Sequence, residues 1–209
     1  MPSNGPDHLV TAMSELEALY EQPHGPAVVK EVDYITSQYR ALIEASPFVV
    51  LATCGPEGLD CSPRGDPAGF VRVVDEKTLL IPDRRGNNRI DSLRNIVRDP
   101  RVALLFLIPG VNETMRVIGR AAISTDPELC ASFAMHGKTP RCVLKVFVER
   151  AYYQCAKALV RSKLWDPAMQ VDRGALPTAG KILAEITGGK MGGEEHDRTY
   201  PERVKATIY

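Results

Sequence analysis

The densest group of residues that could bind an anion lies between Ile81 and Ile90. It combines three arginines with a Gly-Asn-Asn sequence: Arg84, Arg85, Gly86, Asn87, Asn88 and Arg89. Guanidinium groups and the free N–H groups of a helix N-terminus hold a phosphate monoester well, because that group carries a charge of about −1.5 to −2. Gly86 allows close backbone approach, and Asn87 or Asn88 can cap a following helix. These residues indicate a phosphate-binding loop, and a solvated surface loop is equally compatible with them.

A second candidate is the stretch Asp60-Cys-Ser-Pro-Arg-Gly-Asp66. Pro63 and Gly65 are unusual inside a strand and indicate a bend or a close backbone approach. We expect Arg64 to project from this bend toward whatever lies beside it. Alone, the stretch favours a plain β-turn with an exposed arginine, whereas two separate Arg-and-Gly clusters together favour a shared anion site.

Four further side chains could contact a ligand. His136 is predicted to lie on a loop, and the nearby Lys138 and Arg141 could bind an anionic substrate, although a solvated face is the simpler interpretation. Trp165, the only tryptophan, follows a predicted helix and is most simply a core or interface residue. The stretch 174–181 imitates a phosphate-binding P-loop, but it is one residue too long and lacks the required Ser or Thr after its lysine.

The spacing of apolar residues predicts the elements that position these side chains, and it changes along the chain from a helical to a strand-like pattern. Two N-terminal helices are predicted from the apolar spacing, the second over 31–45. Further helices are predicted over 88–98, after Asp126-Pro127 and near 178–186, and a polar tail follows the last of them. The strand over 101–108 is apolar enough to be buried on both faces. The predicted strands are 48–53, 59–64, 69–74, 78–81, 101–108, 114–123 and 142–149.

This order of elements predicts a mainly β protein with peripheral helices. A doubly wound parallel sheet is not indicated, because the strands follow one another without regular βαβα alternation. We expect one domain of 209 residues, with N-terminal helices in 1–46, a small antiparallel barrel in 47–150 and a helical or irregular extension in 151–209.

Composition excludes several classes of function. The formal net charge is +0, so no global field attracts nucleic acid or an anionic membrane, and we expect neither as a partner. The five cysteines form no CxxC pair, which is typical of a reducing cytosol and gives no metal site. Residues 1–8 are polar and contain no apolar segment of the signal-peptide kind, so we expect a cytoplasmic protein.

The stretch 51–120 resembles the pyridoxamine 5′-phosphate oxidase-like superfamily of FMN-binding split barrels. It is most similar to a branch of probable FMN-dependent enzymes whose substrate is unknown, and the tail segments Gln154-Cys-Ala-Lys157 and Arg161-Ser-Lys-Leu-Trp165 share that similarity. The segments that carry the resemblance are Val50-Leu-Ala-Thr53, Ser62-Pro-Arg-Gly-Asp66, Leu80-Ile-Pro-Asp-Arg-Arg-Gly-Asn-Asn-Arg89, Asp99-Pro-Arg-Val-Ala-Leu-Leu-Phe106 and Arg116-Val-Ile-Gly-Arg120.

The resemblance implies a six-stranded antiparallel split barrel that forms a homodimer, with two FMN sites at the subunit interface. Arg64 would bind the phosphate, and the backbone at Ile81 and Pro82 would run along the isoalloxazine edge. Stacking on the flavin ring is the functional interpretation of Trp165, beside core or interface packing. Thr114 falls near the position of a flavin-contacting Gln in the true oxidases, and Asn88 near that of a phosphate-binding Lys. The implied cofactor-binding residues are Arg64, Ile81, Pro82, Asp83, Arg84, Arg85, Asn87, Asn88, Arg89, Thr114 and Trp165.

The same resemblance implies an FMN-dependent oxidoreductase that acts on a small organic substrate. Two alternatives remain open: a flavin carrier or sensor without turnover, and a pocket that holds a deazaflavin or haem instead of FMN. The chain lacks the C-terminal Arg/His segment with which true pyridoxamine phosphate oxidases bind substrate, so we do not expect the vitamin B6 activity. No catalytic acid or base is assigned, because flavin chemistry supplies the redox step.

Overall fold

A computed structural model describes residues 8–23 and 25–209, so most of the polar segment 1–8 lies outside the described residues. The chain divides into two compact units, one ending at Glu31 and the other running from Val32 to Tyr209. The first unit contains two short helices, α1 (Met13–Glu17) and α2 (Pro26–Val29), neither of which has a buried residue. The predicted division at 46/47 and 150/151 stays a prediction.

The second unit begins with an extended segment rather than a helix. Val32 pairs with Ala151 as an isolated antiparallel bridge, so the prediction of helix from residue 31 is wrong. Helix α3 (Ser37–Ala45) begins six residues later, because the Thr36 side chain accepts a hydrogen bond from the Tyr39 N–H and caps it.

One antiparallel sheet forms the body of this unit. The prediction of a mainly β split barrel with peripheral helices is confirmed, although the described residues give seven strands where six were expected. Their spatial order is β2-β1-β5-β6-β7-β4-β3, so the sheet is open and its two edge strands are β2 and β3. The strands are β1 (Phe48–Gly55), β2 (Gly58–Gly65), β3 (Arg72–Asp75), β4 (Thr78–Pro82), β5 (Arg101–Leu107), β6 (Thr114–Ser124) and β7 (Val143–Gln154).

Buried and partly exposed residues alternate along the central strands, and the buried ones form the core. In β5, Val102, Leu104 and Phe106 are buried while the residues between them are partly exposed, so the expectation of burial on both faces is wrong. Strand β1 alternates in the same way through Val49 and Leu51. Because successive side chains of a strand point to opposite faces, these residues share one apolar interior.

A bulge bends the long β6–β7 ribbon. The register shifts between Ile118 and Gly119, and a Cβ added to Gly119 would lie 2.0 Å from the Phe147 carbonyl oxygen. Only glycine permits that approach, and the bulge lets β7 continue to Gln154, five residues beyond the predicted end.

Helix α4 (Asp91–Arg98) is fixed against β1 at the edge of the barrel. The buried Asn95 side chain donates a hydrogen bond of 3.1 Å to the Thr53 hydroxyl, and Ile96 packs into the apolar interior. The predicted start at residue 88 is wrong, because Asn88 and Ile90 both adopt a positive φ that a right-handed helix excludes. Helix α5 (Pro127–Ser132) is capped by Asp126, as predicted.

The C-terminal extension is more helical than its sequence indicates. It contains α6 (Lys157–Ser162), two short 3₁₀ turns, α7 (Ala179–Ile186) and α8 (Gly193–Thr207), and the last replaces the predicted polar tail. Asp197 of α8 accepts hydrogen bonds from the Thr178 hydroxyl and the Gly180 N–H, so a carboxylate of the chain itself occupies the helix start that imitates a P-loop. Within the described residues, no helix is both long and apolar enough to cross a bilayer.

Candidate functional site

A cavity of about 1170 Å³ opens at the end of β2, where the loop after β4 meets the start of α4. Three separate parts of the chain complete its wall: the end of β2 with Asp66, the segment 138–142 that precedes β7, and the residues that follow α8. Its polar and charged lining residues are Asp60, Ser62, Arg64, Asp66, Asp83, Arg84, Arg85, Asn87, Asn88, Arg89, Asp91, Ser92, Lys138, Thr139, Arg141 and Tyr209.

An ion pair between Arg84 and Asp66 forms the innermost polar contact of this wall. The Arg84 Nε lies 2.6 Å from Asp66 Oδ2, and the Asp66 side chain is only 1% exposed. Arg84 also donates a hydrogen bond of 2.7 Å to the Phe133 carbonyl oxygen. A buried carboxylate requires such a partner, so Arg84 has a structural role, and its part in cofactor binding stays a prediction.

Arg64 is held in a second polar group beside the first. It donates to the Ser92 hydroxyl at 3.2 Å, and Ser92 in turn donates to Asp60 at 2.5 Å. Its Nε lies 4.0 Å from Asp83 Oδ1. Burial raises the pKa of Asp83, and the positive charges of Arg64 and Arg141 oppose that rise. Arg64 therefore lines the cavity while it also contacts Ser92 and Asp83 of the protein.

The loop between β4 and α4 has an unusual backbone. Asn88 and Ile90 have φ values of 61° and 54°, a region that is costly for a β-branched side chain such as Ile90, by roughly 1–3 kcal/mol. The Asn87 side chain accepts a hydrogen bond from the Arg89 N–H and does not cap α4, so the predicted Asn cap is wrong. The capping position belongs to Ile90, which has no side-chain cap, and this leaves the first N–H groups of α4 free to meet a ligand.

The lining of the cavity is positively charged although the whole chain is neutral. Six cationic side chains, Arg64, Arg84, Arg85, Arg89, Lys138 and Arg141, face four carboxylates, those of Asp60, Asp66, Asp83 and Asp91. Most of these cations have an acceptor, including Arg89, whose Nε lies 2.7 Å from Asp91 Oδ2. Among the described residues, the Arg85 side chain makes no hydrogen bond or ion pair, so its guanidinium is the one most available to an incoming anion.

Residues 35–155 match the sequence model of the family described as pyridoxamine 5′-phosphate oxidase, which is more than half of the chain. The chain belongs to this family. The expected superfamily is thereby confirmed. A comparison with curated protein sequences finds no match.

Solved structures of similar proteins include HupZ of group A Streptococcus, at 20% identity and a TM-score of 0.46 over 57% of this chain and 93% of that one. A Lactobacillus delbrueckii protein proposed to be a pyridoxamine 5′-phosphate oxidase has 20% identity and a TM-score of 0.47, covering 59% of this chain and 99% of that one. An FMN-binding protein of Syntrophomonas wolfei has 14% identity and a TM-score of 0.44, covering 56% and 83%.

Eight of the eleven expected cofactor residues of this family member line one cavity, and three lie elsewhere. The Ile81 side chain is wholly buried in the core, and Thr114 is buried at the start of β6 opposite Gln154. The Trp165 Nε1 donates a hydrogen bond of 2.8 Å to the Val111 carbonyl oxygen. The part of each of these residues in cofactor binding stays a prediction.

The sequence did not single out several residues that complete the site. Asp66 was visible only as the end of a motif, and the pairing of Asp60 with Ser92 joins residues that are far apart in the chain. Tyr209 was part of the predicted polar tail, yet its phenol donates a hydrogen bond of 2.9 Å to Asp66. That hydrogen bond raises the pKa of the Tyr209 phenol. No local signal predicts a contact between residues 143 positions apart.

The different roles of neighbouring arginines give a prediction about stability. Replacing Arg84 by Ala leaves the buried Asp66 carboxylate without its cation, which we expect to lower the free energy of unfolding by about 3 kcal/mol or more. Replacing Arg85 by Ala should change it by no more than about 0.5 kcal/mol, because this side chain has no partner to lose. Urea denaturation followed by the fluorescence of Trp165 measures both, and equal losses would contradict the assignment.

Proposed function

We propose that this chain binds FMN in the cavity beside α4 and uses it as an oxidoreductase acting on a small organic substrate. The observation that carries the proposal is the unpaired Arg85 in the loop that leads to the uncapped start of α4, inside a positively charged cavity of a pyridoxamine 5′-phosphate oxidase family member. The Syntrophomonas wolfei protein is an FMN-binding protein.

The polar half of the cavity suits the phosphate and the hydroxylated chain of FMN. Arg85 and Arg141 supply cationic N–H donors, and the open N-terminus of α4 supplies backbone donors, a combination that favours a doubly charged phosphate. Asn87 and Asn88 lie between them and offer amide groups to the hydroxyls of a ribityl chain. The net positive lining offsets the charge that the phosphate would bring.

The remaining wall suits a flat apolar ring system. Apolar residues from β2, β4, α4 and the loops between elements line the cavity: Pro63, Phe70, Pro82, Ile90, Leu93 and Pro140. A volume of about 1170 Å³ is somewhat larger than typical ligand pockets, roughly 300–1,000 Å³, and leaves space for a small substrate beside the ring. When bound, FMN supplies the hydride or electron transfer, and the chain binds it, orients it and excludes water.

A comparison of FMN with riboflavin tests the phosphate site directly, because riboflavin has the same ring without the phosphate. We expect the parent protein to bind FMN much more tightly, and the Arg85→Ala variant to lose at least about tenfold in FMN affinity through one missing charge-assisted hydrogen bond. Riboflavin affinity should be unchanged. Flavin fluorescence titration gives all four dissociation constants.

Arg94→Ala is the matched control for this experiment. Arg94 is an exposed cation of α4 that does not line the cavity, so its loss alters the net charge equally without removing a phosphate ligand. An equal effect of Arg94→Ala and Arg85→Ala, or an equal loss of riboflavin and FMN affinity, would show that Arg85 does not hold the phosphate.

We also propose that the chain forms a homodimer with the cofactor at the subunit interface, as the resemblance implies. The residues that this arrangement assigns to the cofactor but that lie outside the cavity of one chain, Thr114 and Trp165, would then act across the interface. Size-exclusion chromatography with light scattering should give twice the mass of one chain. A monomer that retains FMN would refute the dimer.

A further inference from the structure

The chain fills part of its own ligand cavity with the residues that follow α8. Ile208 and Tyr209 both line the cavity, and Tyr209 makes two hydrogen bonds to other lining residues. The Tyr209 phenol donates to Asp66 Oδ1 at 2.9 Å, and the Lys138 ammonium donates to the Tyr209 main-chain oxygen at 2.8 Å. The Tyr209 ring is therefore fixed at both ends.

Two further contacts enclose the ring. The His136 ring centroid lies 5.0 Å from that of Tyr209, with 52° between the ring planes. The guanidinium carbon of Arg84 lies 5.9 Å from the Tyr209 centroid, within range of a cation–π contact. The contacts thus come from three parts of the chain that are separate from α8.

Lys138 is the residue for which Tyr209 and an anionic ligand compete. Its ammonium is one of six cations in the lining, and the oxygen that it contacts occupies the place where an anion would find a donor. We propose that Tyr209 is an internal plug, which holds Lys138 and closes one side of the cavity until an anionic ligand displaces it.

The structure allows the plug and the last turn of α8 to move while the start of the helix stays in place. Asp197, in the first turns of α8, holds that end of the helix to α7 through Thr178 and Gly180. Ile208 is 59% exposed, so its own packing opposes the withdrawal of Tyr209 only weakly. Two hydrogen bonds and two ring contacts are a modest set of interactions, and a bound phosphate offers the Lys138 ammonium a doubly charged acceptor in place of the Tyr209 main-chain oxygen.

The first test compares FMN affinity among variants and rests on the proposed function. Tyr209→Ala removes the plug, and we expect it to bind FMN at least about fivefold more tightly than the parent. In the parent, part of the binding free energy is used to displace Tyr209, whereas the cavity of the variant is always open. Tyr209→Phe keeps the ring and loses only the hydrogen bond to Asp66, so it should fall between the parent and Tyr209→Ala. Tyr200→Ala, which removes a tyrosine of the same helix that stacks on His196, should leave the affinity unchanged.

Equal or weaker FMN binding by Tyr209→Ala would overturn the plug, since Tyr209 would then be a neutral or favourable part of the wall. Failure of the parent and of every variant to bind flavin would instead refute the proposed function. The role of Tyr209 as a plug is then tested by an experiment that uses no flavin.

That second test follows hydrogen exchange of the peptide 203–209 in the ligand-free protein by mass spectrometry. Addition of inorganic phosphate should raise its exchange in the parent, with sodium chloride of equal ionic strength as the control. The peptide of Tyr209→Ala should exchange fast from the start and not respond. Exchange that phosphate does not alter in the parent would overturn the proposal.

Discussion

The contact on which the candidate site depends most is the buried ion pair of Arg84 with Asp66. Asp66 follows β2, Arg84 follows β4, and the same guanidinium reaches the Phe133 carbonyl oxygen behind α5. One arginine thus ties together three loops that the sheet alone would leave independent. Since a carboxylate that is 1% exposed cannot lose its cation cheaply, the loop carrying Arg85 begins from a fixed point, and Arg85 itself stays free.

The sheet holds α4 beside this ion pair. The Asn95–Thr53 hydrogen bond and the packing of Ile96 hold α4 against β1, so the helix start faces the cavity with its N–H groups uncapped. The positive φ of Ile90 is the local cost of this arrangement. A strained backbone conformation of this kind persists where surrounding contacts hold it. Here it redirects the chain from the loop after β4 into the first turn of α4.

The positions of most strands and of the arginine-rich loop that lines the cavity could be predicted because their signals are local. The apolar run over 101–108 indicates a strand but not which of its faces is buried, and the arginines around Gly86 indicate a candidate anion site by residue type alone. The start of α4 could not be predicted, since Ile90 adopts a conformation contrary to its preference. Helix α8 has no strong apolar stripe and contains Pro201, and the Tyr209–Asp66 contact spans 143 positions, so sequence patterns carry no trace of either.

The central claim, that the cavity holds FMN, is tested most directly by the visible absorption spectrum of the freshly purified protein, followed by release and identification of any chromophore. If FMN occupies the cavity, the protein shows the two absorption bands of an oxidised flavin and releases FMN on denaturation. A Soret band or a deazaflavin spectrum would contradict the choice of cofactor. A colourless protein that also fails to bind added FMN would contradict the claim that this family member is a flavoprotein.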